Sequence, residues 1–539
     1  METYYDSDTH DSSCGKVRSM KARLLFLAVC CLLLTGAFSC ASSQNVATTS
    51  TAPPGVQPAI GGTLRILTGS EPAMLGYQPL MGPEDIGRVN PGIEPLMIPT
   101  IDRKLEPLLA ESVVEDAANR RITFYLRPDV KFHDGSSLDA DAVIWNFQIM
   151  LDAGRLTYSE YLESIQKIDD LTVQLNLKEY NNQLLLIWGR LSIFSQHAWE
   201  EASGGDTARG VDWARHHCVG TGPFVLEKSV TDVSLTWRRN PDYWQEGKPY
   251  LDGIEVEFIP SNPTSRLKML AGEADFWEFS YSLELEEHGF DVWQSWNGVN
   301  LSIWPNTAGP GSRWNDIRLR QALEYAIDKK TITDTFGPDT FKPLDMILQP
   351  GEWGYDASYP FRTFDPEKAR QLVAQAGYPD GLDAELLLGT AYGGQPLGEM
   401  VQAYLAAAGI RVDLDLAEPG RFFAAIYQNP GPDLVITYSG VDLNSLNAYF
   451  DWFSTDSLAG IAYLGHDESE KEMERQAVLA QSEEAQRAAA MDLYRRFTDE
   501  VKIIPLMWFG LRDIVAPYVH GPYPVLAAWH TEDLWMDEH

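Results

Sequence analysis

Cysteine is scarce in this chain. There are five in 539 residues, and Cys14, Cys30, Cys31 and Cys40 fall near the N-terminus. Cys218 stands alone in the body, which excludes an intramolecular disulfide framework there. No GxSxG elbow, HExxH, P-loop or paired CxxC occurs, so the common signatures of esterases, metalloproteases, nucleotide-binding enzymes and zinc ribbons are missing. Positive charge is also in short supply: 42 Lys and Arg face 77 Asp and Glu, a net charge of −35. The charges of residues 1–40 cancel, so the body carries the whole imbalance, and nucleic acid is excluded as a partner. Such acidity reads as solubility, or life in a saline medium, rather than a specific basic ligand. No internal repeat is visible, and the longest apolar run, Leu24 to Leu34, is too short to span a bilayer.

That run follows Met20, Lys21, Ala22 and Arg23, a positive n-region before an h-region, the pattern of an export leader. Residues 1–19 are polar and acidic, unlike an n-region, which points to Met20 as the start of the leader. The run ends at Ala37, Phe38, Ser39 and Cys40, which resembles a lipoprotein box with Cys40 as the lipidated residue. Residues 41–57, rich in Ser, Thr, Ala and Pro, cannot bury a core and read as a flexible tether. The remaining body is too long for one core, so two or three domains are expected.

Gly220 to Trp277 is the most informative stretch. GTGPF at Gly220 to Phe224 precedes alternating Val233, Leu235 and Trp237, then the RNPDYW segment from Arg239 to Trp244. Ile254, Val256 and Phe258 alternate next, and Asn262-Pro263 opens a helix ending near Gly272. EPLLAES at Glu106 to Ser112 and Phe132-His133-Asp134-Gly135 form a second block; Asp139 or Asp141 caps the helix beyond it. A helix from Asn315 carries Leu319, Ala322, Leu323, Ala326 and Ile327 on one face. Asp365 as N-cap, Pro366 at the first helical position and Gly377 beyond the end delimit another. Ala384–Leu388, Ile410–Leu416 and Leu434–Tyr438 read as strands alternating with helices, hence a mostly parallel sheet. Residues 467–500 read as helical and charged, with a last strand over Ile503–Phe509.

This order, with GTGPF, RNPDYW and LAGEAD, resembles the extracytoplasmic solute-binding proteins of family 5, the peptide-, nickel- and oligosaccharide-binding receptors of ABC importers. The resemblance implies an α/β type II periplasmic-binding-protein fold, two lobes around a ligand cleft with an inserted third domain. Lobe I is expected at residues 58–97, 217–305 and 503–539, domain II at 98–216 and lobe III at 306–502. It implies delivery of a peptide or oligosaccharide to a permease and its ATPase by cleft closure. The receptor would be a monomer at the outer face of the membrane or in the periplasm, with no cofactor and no catalysis. A carbohydrate-active enzyme and a sensor without transport are the alternatives.

The resemblance also suggests where ligand contacts fall. Peptide-binding members carry a Trp and, three residues on, an Asp for the peptide ammonium; here those positions are Tyr438 and Val441, with Asp442 one residue displaced. A buried unpaired ammonium costs several kcal/mol, on the order of 3 or more, which disfavours a free peptide N-terminus. Trp508 and Phe509 on the last strand, Asn297 and Asn300 before the crossover, Tyr158 and Tyr161 in domain II, and Met81 complete the candidate set. Aromatic faces with Asn and Asp suit a sugar. His133 reads as a packed turn residue rather than a catalytic base. His216, His217 and Cys218 offer metal-binding atoms, but adjacent residues rarely converge on one ion, so no metal site is expected. Replacing Cys40 by Ser should release the protein from the membrane to the soluble fraction; unchanged membrane association would refute Cys40 as the anchor.

Overall fold

The computed structural model describes residues 57–100, 103–280, 282–309, 311–338, 340–390, 394–426, 431–440, 443–522 and 530–537. Cys40 and Asp442 lie outside them. Ten strands make the continuous path of the main sheet: Thr63–Thr68 (β1), Phe224–Val230 (β2), Ser234–Arg239 (β3), Gly253–Phe258 (β4), Phe276–Trp277 (β5), Asp291–Pro305 (β6), Leu382–Gly389 (β7), Ile410–Ala417 (β8), Leu434–Gly440 (β9) and Ile504–Val515 (β10). Their spatial order is β2-β3-β4-β1-β5-β10-β6-β9-β7-β8, and Phe341–Pro343 adds to β10 off this path. This is the mixed α/β sheet of a type II binding-protein fold.

The expected mostly parallel sheet is corrected: β3 pairs antiparallel with both β2 and β4, and the centre of the sheet is antiparallel as well. β4, β1 and β5 run parallel, as do β9, β7 and β8, but β6 pairs antiparallel with both β9 and β10, and β5 antiparallel with β10. The chain enters the second half of the sheet along β6 and returns along β10, so the two halves meet on an antiparallel pair. Each half has its own core. Leu64, Ile66, Leu235, Trp237, Ile254 and Val256 are buried in the first. In the second, Ile303, Leu386, Leu388 and Ile436 pack against Leu319, Ala322, Leu323 and Ala326 of helix Ile317–Ala326. A further core on the sheet's other side joins Trp304, Leu387 and Val435 to Tyr449, Phe453, Tyr494 and Phe497.

An inserted layer holds a separate four-stranded sheet of Ala110–Asp116, Arg121–Leu126, Leu162–Asp169 and Thr172–Leu177. Its core buries Phe124, Phe147, Leu175 and Trp188 against helix Ala140–Asp152, whose N-terminus Asp139 caps by accepting from Ala142 N.

The GTGPF and RNPDYW segments meet at the join between this layer and the first half of the main sheet. Glu94 is buried and accepts hydrogen bonds from Thr221 Oγ1 at 2.8 Å, Tyr243 OH at 2.7 Å and Trp244 Nε1 at 3.0 Å. Thr221 comes from GTGPF and the two aromatics from RNPDYW, which explains why these segments belong together. A Cβ on Gly222 would come within 2.6 Å of the Pro91 carbonyl and the Gly92 backbone, so the turn admits glycine there for close approach. His133 packs beneath the same turn, its Nε2 2.9 Å from the Gly222 carbonyl.

Burial pushes the Glu94 carboxyl up to about 7, against the three donors that pull it down. A carboxyl with a raised folded-state value favours the protonated form, so its stabilising contribution is full below about pH 4.5 and is lost as pH rises through about 7. Glu94→Gln should flatten the decline in melting temperature between pH 5 and 8. An identical pH profile for the variant would contradict this account of the buried carboxyl.

Candidate functional site

The site is built where β6 and β10 pass from one core to the other. Asp291 to Gln294 pair with Val515 to Arg512 beside the first core; the register then shifts, and Gly298 to Ile303 pair with Gly510 to Ile504 beside the second. Successive residues of a strand point to opposite faces. Trp508 and Phe509 therefore diverge. Asn300 lies opposite Trp508 on one side and Ser439 on the other, so these three share a face. Leu301 lies opposite Met507 and Tyr438, placing Tyr438 and Phe509 on the other face. The candidate residues thus form two groups.

On the first face, the Trp508 indole lies over Gly298, where a Cβ would collide with Nε1. Asn300 is buried and donates from Nδ2 to the Ile347 carbonyl at 3.0 Å. Asn300 Oδ1, Ser302 Oγ, Ser439 Oγ and Trp508 Nε1 are buried without a hydrogen-bond partner among the described residues. Buried polar atoms are normally paired, and leaving one unpaired costs roughly 1–3 kcal/mol. Four such atoms on three adjacent strands make a polar face equipped for neutral hydrogen-bonding groups.

On the other face, Phe509 packs on Phe341 at a centroid distance of 5.3 Å, and Tyr438 meets Trp452 edge-on at 5.6 Å. Met81 is buried in the first core. Tyr158 and Tyr161 contact each other edge-on at 6.0 Å beside the inserted layer's core. Burial and then the Asp451 carboxylate push the Tyr158 phenol up, which places it toward helix Ser445–Trp452 of the second half. Asn297 belongs to β6 within the register shift.

Sequence reasoning missed Phe279. It follows β5 with φ at +48°, a left-handed conformation unusual for a non-glycine residue, and its ring is 43% exposed. Its neighbours are tied down. Phe279 N donates to Asp513 Oδ1 at 2.8 Å, Ser280 N donates to the Arg512 carbonyl, and Glu278 accepts from Thr68 Oγ1 at 2.6 Å. Burial raises the Asp513 carboxyl well above its ordinary value. The result is an aromatic held outward at the carboxyl end of a parallel strand, the edge at which open α/β sheets bind ligands. Arg512 on β10 bonds Glu286 Oε1 and Thr340 Oγ1, both at 2.8 Å, so one side chain joins the two halves. A groove of about 640 Å³ opens at the same edge, lined by Gly69, Glu71, Ala73, Arg215, His216 and Asp232 among others.

The other metal-binding side chains diverge. His217 stacks on Trp213 at 4.8 Å, and burial raises the thiol of Cys218 in the first core. His466, Glu470 and Glu474 bring ligand atoms within 4.8 Å of one another. However, Lys502 Nζ lies 3.1 Å from Glu470 Oε2, Tyr449 OH donates to Glu470 Oε1, and Thr455 donates to Glu474. Lysine already supplies the cation, so the cluster braces helix Glu468–Val478 against helix Ser445–Trp452 and the segment at Lys502 that leads into β10.

Residues 104–460 match the model of the bacterial extracellular solute-binding proteins, family 5. The chain belongs to this family. Among relatives, it is 29% identical over 306 residues to heme-binding protein A of Haemophilus influenzae, covering 52% of this chain and 55% of that one. It is 30% identical to di/tripeptide-binding protein 2 of Pseudomonas aeruginosa, with 58% and 64% covered. The nickel-binding periplasmic protein of Escherichia coli is 24% identical over 496 residues, with 83% and 91% covered. The matched stretch thus spans between about half and two thirds of the length of the first two relatives. The family 5 fold is also that of the Helicobacter pylori periplasmic binding protein DppA in complex with the peptide STSA. That structure has a TM-score of 0.78 at 20% identity, covering 89% of this chain and 99% of that one. NikA of Brucella suis in complex with Fe(III)-EDTA superposes with a TM-score of 0.77 at 24% identity, with 88% and 100% covered. At these identities the likeness speaks for the fold. Among the described residues no helix is long and apolar enough to cross a membrane.

Proposed function

We propose that this family 5 protein is a monomeric extracytoplasmic receptor, anchored by lipid at Cys40, that captures a peptide or oligosaccharide and presents it to an ABC permease and its ATPase. Lobe I comprises residues 58–97, 217–305 and 503–539, domain II residues 98–216 and lobe III residues 306–502. Ligand contacts in both lobes favour the closed arrangement, because only closure brings both surfaces onto the ligand. The relatives named above are binding proteins, which supports capture rather than catalysis.

The observation that carries this reading is the buried polar face of Asn300, Ser302, Ser439 and Trp508 beside the crossing of β6 and β10. Its groups are neutral donors and acceptors, suited to the amides of a peptide backbone or the hydroxyls of a sugar. Phe279 supplies an aromatic surface from lobe I, and Tyr158 and Tyr161 approach from domain II, while Tyr438 and Phe509, with Asp442 near Tyr438 in sequence, form a second candidate surface on the opposite face of the sheet. Asn297 and Met81 complete the set.

A panel of peptides, oligosaccharides and divalent cations, read by melting temperature of residues 58–539, tests this assignment. A ligand at about 100 times its dissociation constant adds roughly 2.7 kcal/mol of stability, a visible shift. Trp508→Ala should then weaken the responding ligand by roughly 1–3 kcal/mol. A response to divalent cations alone, or an undiminished affinity in the variant, would count against the neutral polar face as the binding surface.

A further inference from the structure

Asn182 stands at a contact between the inserted layer and the second half of the sheet that the ligand surfaces do not include. It follows strand Thr172–Leu177, just before helix Leu184–Trp188 of the inserted core. Its backbone N–H donates to the Val478 carbonyl at 2.8 Å, and its Nδ2 donates to the carbonyls of Ala477 and Ala480, each at 2.8 Å. These carbonyls lie at and just beyond the end of helix Glu468–Val478, which packs in the core around Tyr449 and Phe497. The last carbonyls of a helix lack the partner that the next turn would supply. Here a residue from another core donates to two of them, Ala477 and Val478, and to the Ala480 carbonyl that follows, in addition to the local donors Ala480 N on the Ala477 carbonyl and Gln486 Nε2 on the Ala480 carbonyl.

The contact is built on both sides. Asn181, Asn182 and Gln183 are all buried. Gln183 Nε2 donates to Asn182 Oδ1 at 2.5 Å and Gln183 N to Asn181 Oδ1 at 2.8 Å, which fixes the amide so that its NH₂ faces the helix end. A second link crosses the same seam, from Arg103 Nη1 to Glu352 Oε1 at 3.6 Å. Three polar side chains in sequence, buried and mutually oriented, are an unusual choice for a packing surface and a suitable one for a directional lock.

We propose that Asn182 is a latch that favours the closed arrangement from outside the ligand cleft, by capping the C-terminal end of helix Glu468–Val478 when lobe III meets domain II. The latch rests on the closure reading of this protein. It sets the open–closed balance of the empty receptor and therefore its affinity for any solute, without touching the solute.

Hydrogen–deuterium exchange of the ligand-free full chain tests it, read in residues 178–188 at the seam and in helix Ala140–Asp152 as an internal reference. Asn182→Ala should speed exchange at the seam about tenfold while the reference helix keeps its rate. Asn182→Asp, equal in shape, should speed it further, since a carboxylate oxygen then faces the carbonyls of Ala477 and Ala480. Exchange at the wild-type rate in the Asn182→Asp variant would show that shape alone holds the seam and would overturn the latch. An unchanged rate in Asn182→Ala, or equal acceleration in the reference helix, would overturn it as well. No solute enters the measurement, so its failure is separable from a failure of the receptor reading, which the ligand panel decides.

Discussion

The structure depends on the backbone ladder between Asp291–Pro305 and Ile504–Val515. These two antiparallel strands belong to both cores at once: Trp293 and Val515 are buried in the first, and Ile303, Ile504 and Leu506 in the second. Close-packed cores resist deformation, whereas a short backbone segment absorbs rotation at small cost. The register shift between Gln294 and Gly298 is such a segment, since the regular ladder is interrupted there. In the proposed closure, motion between lobes would be confined to the place where the candidate ligand groups gather.

Around this hinge the polar chemistry is divided. Glu94, held by three donors, binds the GTGPF turn and the RNPDYW elbow into one unit beside the first core. Arg512 spans the halves through Glu286 and Thr340 with charge-assisted bonds near the hinge. Asn182 acts at the far seam through neutral bonds, which are weaker and so suited to a contact that forms and breaks. The ligand face itself is neutral despite a chain carrying −35. The excess acid sits mainly on exposed surfaces such as Glu483, Glu484 and Glu468, where it bears on solubility rather than recognition.

Local structure was legible wherever a capping or alternation rule applied. Asp365 caps helix Pro366–Gln375 by accepting from Lys368 N, and Gly377 has φ at +103°, as their residue types imply. Asp139 rather than Asp141 proved to be the cap, and Asn262 opens its helix as expected, with Ser261 as the cap before it. Val233 lies in the turn, half exposed, ahead of the strand it was expected to join. The last strand runs to Val515, beyond the expected Phe509, because the buried Asp513 and the paired Arg512 find partners that hydropathy does not reveal. The divergence of Trp508 and Phe509 was implicit in strand periodicity, but grouping Trp508 with Asn300 and Ser439 required the register across three strands. Phe279 gave no sequence signal, since its outward position follows from a left-handed backbone fixed by residues 234 positions away.

The measurement that bears most directly on this account is small-angle X-ray scattering of residues 58–539 with and without a saturating ligand from the panel. Rotation about the β6–β10 pair predicts a smaller radius of gyration in the bound state, with the melting transition raised in parallel. Binding that raises the melting temperature while leaving the scattering curve unchanged would contradict a receptor that works by closing.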